Sequence, residues 1–291
     1  MAVGTYAITS LANLKTYLGI DDTTDDTFLE QCIDRATAFV ESYLDYKVMS
    51  RELYEWHDGQ GGRRLVLNNP NVTSVHTVRS GIANAMVVSG NVAGDIGLTI
   101  SIVDNVAQLQ RTASNGTETT DEYDLTNASY LTTNLLAASI ESKTGWSASA
   151  SKNVKTQWLH NLGGVDVVEN SYNLTYANNS EQIFRVDHKS GVIYLRRDPN
   201  HIFDADLRMP HQIPTTRQSL FVNYTAGYIG NALPNDIEQA CIEAASSMYK
   251  QRDHDSNVAS ESLGDYSYSL RGPADLLDSI QRLLEPYRSI R

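Results

Sequence analysis

Asp26-Thr27-Phe28-Leu29-Glu30-Gln31-Cys32-Ile33-Asp34-Arg35-Ala36-Thr37-Ala38-Phe39-Val40-Glu41-Ser42-Tyr43-Leu44-Asp45 carries the clearest periodicity in the chain. Phe28, Leu29, Cys32, Ile33, Ala36, Phe39, Val40, Tyr43 and Leu44 recur every three or four positions, which predicts an amphipathic helix over 26–45. Upstream, Ser10 is placed to cap a short helix over 10–20 whose Leu11, Leu14 and Leu18 share a face before Gly19 stops it. An acidic, Thr-rich turn, Asp21 to Asp26, separates the two. Downstream the period changes to that of strands, at Glu52 to His57, Arg64 to Leu67 and Ser74 to Val78. Asp58-Gly59-Gln60-Gly61-Gly62 reads as a hairpin turn joining the first two, and Asn69-Pro70 separates the last two.

Composition shifts at residues 81–180. This stretch holds 13 charged residues and no proline, against 45 charged residues and all seven prolines in the other 191 positions. Ser, Thr, Asn and Gly fill 42 of its hundred positions, yet strand signals persist at Met86 to Val88, Leu98 to Ile102, Tyr123 to Leu125, Val165 to Val168 and Tyr172 to Tyr176. One helix, Leu131 to Glu141, is expected to place Leu131, Leu135, Leu136 and Ile140 on one face. The segment therefore reads as an inserted β-rich domain with its own core.

After it, Ile183 to Val186 and Val192 to Leu195 flank His188-Lys189-Ser190-Gly191, which predicts a hairpin. Ser219 to Tyr224 is a further alternating strand, and His201 to Gln218 a loop without period. Leu233-Pro234-Asn235-Asp236 opens a helix running to Arg252, with proline near its first turn and an acid just inside. A polar stretch, Asp253 to Arg271, precedes a last helix after Pro273 with Leu276, Leu277, Ile280, Leu283 and Leu284 on one face. The fold expected is α+β: a small helical bundle core with flanking β-hairpins (1–80 and 181–291), plus the inserted β-rich domain (81–180). The three main helices are expected to pack on the flanking strands, with Phe39 and Ile237 in the core.

The chain's 291 residues suffice for a core without staples. Cys32 and Cys241 each sit among apolar residues at helical spacing and read as buried thiols. The formal charge of −12 repels a phosphate backbone, so general nucleic-acid binding is not expected. No apolar run reaches membrane-spanning length, and Met1 to Tyr6 lacks the basic and apolar regions of a secretory signal. Sixteen tyrosines against five phenylalanines favour amphipathic aromatics suited to interfaces and sheet surfaces.

No catalytic or metal signature stands out, and no cofactor is expected. His57-Asp58 and Asp187-His188 pair a histidine with an aspartate, but strand neighbours point to opposite faces, so both read as turn chemistry. His201 and His211 lack a third ligand. Gly59-Gln60-Gly61-Gly62 leads into a strand rather than a helix, which removes the phosphate-loop reading.

In this order, the pieces resemble the tailed-phage head–tail connector (adaptor, head completion) family. The likeness rests on Ile8 to Ile20 with Val40-Glu41-Ser42-Tyr43-Leu44, on Tyr54 to Gly61 with Leu65-Val66-Leu67 and Pro70 to Val75, on Val222 to Tyr228 leading into Leu233 to Ile237, and on Ser260 to Ser267 with Pro286-Tyr287-Arg288. It covers the two ends of the chain; residues 81–180 depart from it. The resemblance implies a structural virion protein at the head–tail junction, assembled in the bacterial host cytoplasm. It implies a ring, usually of twelve copies, docked on the portal protein, extending the DNA channel and offering a platform to tail or head-closure proteins. DNA would pass without sequence-specific binding. Ser260, Leu263, Tyr266 and Tyr268 are then the expected portal or neighbour contacts, on a polar arm with backbone hydrogen-bonding capacity. The competing reading is a virion decoration or glycan-binding protein acting through the inserted domain.

Overall fold

The structure is a computed structural model that describes residues 3–59, 61–62, 64–168, 170–180, 184–195, 217–218, 220–253, 260–263, 266–269 and 273–288. The chain runs through α1 (Leu11–Leu18), α2 (Asp26–Leu44), β1 (Arg51–His57), β2 (Arg64–Val66) and β3 (Val72–Ser80). It continues through β4 (Ala83–Gly90), β5 (Gly97–Val103), β6 (Val106–Thr112), β7 (Glu118–Asp124), α3 (Thr133–Glu141), β8 (Trp146–Ala150), β9 (Leu162–Asp166) and β10 (Tyr172–Tyr176). It returns by β11 (Asn179–Ser180), β12 (Phe184–Asp187), β13 (Val192–Leu195), β14 (Leu220–Ala226) and α4 (Asn235–Lys250), then β15 (Ser260–Leu263), β16 (Tyr266–Ser269) and α5 (Pro273–Leu284). The class is α+β.

Local signals place the helices. The Ser10 side chain accepts from the Asn13 amide at 3.2 Å, and Gly19 closes α1 in the left-handed region at φ 70°. In α2 Leu29, Cys32, Ile33, Ala36, Val40 and Leu44 of the expected stripe are buried, together with Thr37 and Glu41, while Phe28, Phe39 and Tyr43 are half-buried. Ile237 is completely buried on α4, whereas Phe39 is half-buried at the edge of the same helical core. Cys32 and Cys241 are buried free thiols; burial raises both pKa values, that of Cys241 to about 12. Among the described residues no helix is long and apolar enough to cross a membrane.

Apolar side chains gather into separate cores. The first joins α1, α2, α4 and α5, with Ile280 and Leu284 buried in it. The second joins Leu65, Leu67, Ile193 and Leu195 to Val72, Val78, Leu220, Val222 and Tyr224, where the sheet β12-β13-β2 faces the sheet β1-β14-β3-β11. This corrects the expectation that the helices pack on the flanking strands. The helix stripes cover one another, and the strand faces find their apolar partners in a second sheet. The β1–β2 hairpin is corrected too: β1 pairs with β14, from Arg51 opposite Ala226 to His57 opposite Leu220, while β2 pairs with β13. The segment after β1 is a crossover between sheets. The expected hairpin β12–β13 is present. The expected loop at 201–218 lies outside the described residues except at its last two positions.

The third core lies wholly between Ala85 and Leu174. It fills the space between β7-β6-β5-β9, β10-β4-β8 and α3. Thr132 caps α3, and its buried stripe is Thr133, Leu136, Ala137 and Ile140; Leu135 points outward and is 45% exposed, against expectation. Strand β6 shows no run of branched residues, but Ala107 and Leu109 alternate inward between Val106, Gln108 and Gln110. At the rim Arg111 holds the buried Asp95 carboxylate with two bonds, of 2.7 and 2.8 Å. Gly145 lies under that guanidinium; a Cβ there would stand 2.2 Å from Nε, so the ion pair requires glycine.

Candidate functional site: the lobe junction, the histidines and the C-terminal arm

Strand alternation puts Glu55 and His57 on the same face of β1, two positions apart. The His57 Nε2 to Glu55 Oε2 distance is 2.8 Å, and Oε2 also accepts from the Asn68 amide at 3.0 Å. On the other oxygen, the Tyr224 hydroxyl donates a short bond and Asn69 Nδ2 approaches at 3.4 Å. Asn69 in turn accepts the Lys47 amide at its Oδ1, 2.5 Å away. Burial by itself would raise the Glu55 pKa, but the bonds from His57 and Tyr224 outweigh it and hold the carboxyl below its ordinary value. Burial and the neighbouring carboxylate push the Tyr224 phenol up. This network ties β1 and β14 to the link between β2 and β3. The partner of His57 is thus Glu55, which sequence reasoning passed over in favour of the adjacent Asp58. The i, i+2 spacing was the available signal.

The other histidines do local work. Asp58 Oδ1 accepts the Gln218 amide at 2.7 Å; His188 Nδ1 lies 2.7 Å from the Val72 carbonyl, and Asp187 Oδ1 accepts the Lys189 amide at 3.2 Å. Asp187-His188 is a turn, as expected; His57-Asp58 is not, since His57 ends β1 bound to Glu55 and Asp58 takes an amide from 160 positions away. His201 and His211 lie outside the described residues. Among the described residues no group of three His, Cys, Asp or Glu side chains could share a metal ion.

A third constellation joins the helix-and-strand body to the β4–β10 lobe. Arg79, near the end of β3, donates from Nε to the Ala177 carbonyl at 2.8 Å and from Nη2 to the Asn178 carbonyl at 3.1 Å. Its guanidinium carbon lies 3.7 Å from the centroid of the Trp158 ring. Burial pulls the Arg79 pKa below its ordinary value. Beside it the Trp56 ring meets His160 at 4.4 Å. His160 Nδ1 is 3.1 Å from Thr175 Oγ1, and burial lowers the imidazole pKa. Tyr54, also on β1, is pushed up to about 12 by burial and by its bond to Glu52.

The expected contact residues fall on β15 (Ser260, Leu263) and β16 (Tyr266, Tyr268). These strands pair antiparallel, with Leu263 opposite Tyr266 and Glu261 opposite Tyr268. The arm thus spends one edge of each strand on itself; the side chains of these residues lie outside the described ones. The helix after the arm finds its apolar partner within the subunit. Ile280 and Leu284 enter the helical core, Tyr43 donates to Glu285 at 2.7 Å, and Tyr287 donates to Asp236 at 3.0 Å.

Residues 7–95 match the head completion protein family. The matched stretch runs from α1 to the loop after β4 and contains the first two sequence stretches on which the resemblance to connectors rested, so that resemblance is borne out. The matched family is one of structural virion proteins rather than of enzymes, and the match covers 89 of the 291 residues. Two solved structures are similar at 15% identity. A chain from the neck of an empty gene transfer agent particle computed with C6 symmetry is covered to 95%, and this chain to 100%, at a TM-score of 0.43. A chain from the virion of the native gene transfer agent particle is covered to 94%, and this chain to 100%, at a TM-score of 0.45. No curated protein matches.

Proposed function

We propose that this protein is the head–tail adaptor of a phage-like particle, forming a ring of twelve copies under the portal protein. In this reading it extends the DNA channel and presents a platform to tail or head-closure proteins at the head–tail junction, after assembly in the host cytoplasm. The family match over residues 7–95 carries the reading. The net charge of −12 supports it, since a negatively walled channel does not adhere to passing DNA. Ser260, Leu263, Tyr266 and Tyr268 are the proposed contacts to the portal or a neighbour, made through the outer edges of the β15–β16 hairpin. Native mass spectrometry of the full chain, alone and with purified portal, tests this. A discrete ring or ring–portal complex is expected, and truncation before Ser256 is expected to weaken portal capture. A chain that stays monomeric with portal present overturns the adaptor reading; undiminished capture by the truncated chain overturns the arm.

We further propose that residues 81–180 are a separable domain inserted into a connector core made of 1–80 and 181–291. Among the described residues no apolar core is shared between the two parts. Replacing the insert by a short Gly/Ser linker from Ser80 to Glu181 is expected to leave the remainder folded and able to assemble. Circular dichroism and native mass spectrometry check this; loss of the ring or of portal binding would make the insert integral. A decoration or glycan-contact role for the insert is the second reading. It is favoured by the outward apolar side chains Ile96 and Val103, 64% and 54% exposed.

A further inference from the structure

The lobe bearing β4–β10 connects to the rest of the chain at two neighbouring crossings. One is Gly81-Ile82, between β3 and β4; the other is Ala177-Asn178, between β10 and β11. Since no apolar core of the described residues spans them, two adjacent strands of backbone would by themselves leave the lobe free to swing about the crossings. Gly81 sits at φ +81°, and a Cβ there would stand 2.4 Å from Asn178 Oδ1, so glycine lets the two crossings lie side by side; Ile82 is 58% exposed.

One side chain bridges both crossings and the lobe surface. Arg79 leaves β3 two residues before Gly81, and its fork takes the carbonyls of Ala177 and Asn178 on the opposite crossing, while its flat face covers Trp158. Trp158 is in turn fastened to that crossing, because its carbonyl accepts the Ala177 amide at 3.0 Å. The Trp56–His160 contact adds a second point about which the lobe cannot turn without separating rings, and His160 is held to β10 by the Thr175 carbonyl, which accepts its amide at 2.9 Å. We infer that Arg79 is an orientation lock: it fixes the angle of the 81–180 lobe on the connector core, so that every copy presents the lobe in the same direction. The inference rests on the reading of 81–180 as a separately cored lobe. A guanidinium suits this task where an ammonium does not, because two carbonyls and a ring face must be engaged at once.

The test is a distance measurement between spin labels in the full chain, diluted with unlabelled protein. One pair, Tyr17→Cys with Val103→Cys, spans the junction; a second, Val103→Cys with Leu135→Cys, lies within the lobe, and all three positions are exposed. With Arg79 intact both distributions are expected to be narrow. Arg79→Met keeps the aliphatic stem and removes every donor; it is expected to broaden the spanning distance about twofold or more and leave the within-lobe distance unchanged. Arg79→Lys is expected to broaden the spanning distance as well. A spanning distance unmoved by Arg79→Met overturns the lock while the lobe reading stands. Broadening of the within-lobe pair in the same variant overturns the lobe reading and the lock with it.

Discussion

Replacing Glu55 by alanine is expected to destabilise the chain by about 3–5 kcal/mol, the range for removing one partner from a buried charged network. The carboxylate is the common acceptor of the Tyr224 hydroxyl, the Asn68 amide, the Asn69 side chain and His57. Without it the buried Tyr224 hydroxyl and Asn69 side chain lose an acceptor that water does not readily replace, whereas the exposed Asn68 amide and the half-buried His57 can turn to water. The sign of the pH dependence follows from the same contacts. The Glu55 carboxyl titrates below its ordinary 4.5 in the folded chain, so the unfolded state binds the proton more readily. Its contribution is complete above that ordinary value and disappears as the pH falls through the folded one. Urea midpoints measured across the acid range should therefore fall in the parent chain and fall less in Glu55→Ala. Equal midpoints for the two proteins at neutral pH would remove the network from the account of stability.

Ile237→Ala is expected to cost about 2–5 kcal/mol, as for other fully buried aliphatic side chains cut back to a methyl group. Ile237 is 0% exposed on the first turn of α4, in the core that α4 shares with α1, α2 and α5. Those helices have their amphipathic faces turned toward one another, so a cavity there weakens every pairing. Phe39→Ala belongs at or below the bottom of the same range, because the ring is half-buried and water already reaches part of it. Denaturant unfolding of the two variants side by side checks the order. A larger loss at Phe39 than at Ile237 would reverse the assignment of which side chain is central.

Periodicity and capping made α1, α2, α4 and α5 readable, because a helix closes its hydrogen bonds within four residues and Ser10, Gly19 and Pro234 act on their immediate neighbours. Strands β1, β3, β5, β13 and β14 were readable for a similar reason: alternation is local. Strand partners are not local. Arg51 lies opposite Ala226 and Leu65 opposite Ile193, and nothing within either segment distinguishes these pairings from a β1–β2 hairpin across Asp58 to Gly62. Strands β6 and β8 were hidden because glutamine, serine and alanine alternate in them without the branched side chains that mark a sheet.

The functional constellations divide along the same line. The order of segments sufficed for the likeness to head completion proteins, since that likeness resides in short stretches each read in place. The Glu55–His57 pair was within reach of sequence reasoning, because positions i and i+2 of a strand always share a face. Its meaning was not, since Tyr224 comes from 169 positions away. Arg79 stands further still from any local signal: a lone arginine at a strand end becomes a lock only when Ala177 and Asn178, some hundred residues later, are folded back against it. Composition alone sets residues 81–180 apart, through their proline-free, charge-poor sequence. The seat of that lobe on the body is decided by contacts that exist only once β1, β3 and the Trp158–His160 segment meet, since a backbone carbonyl carries no mark in the sequence of the side chain that will find it.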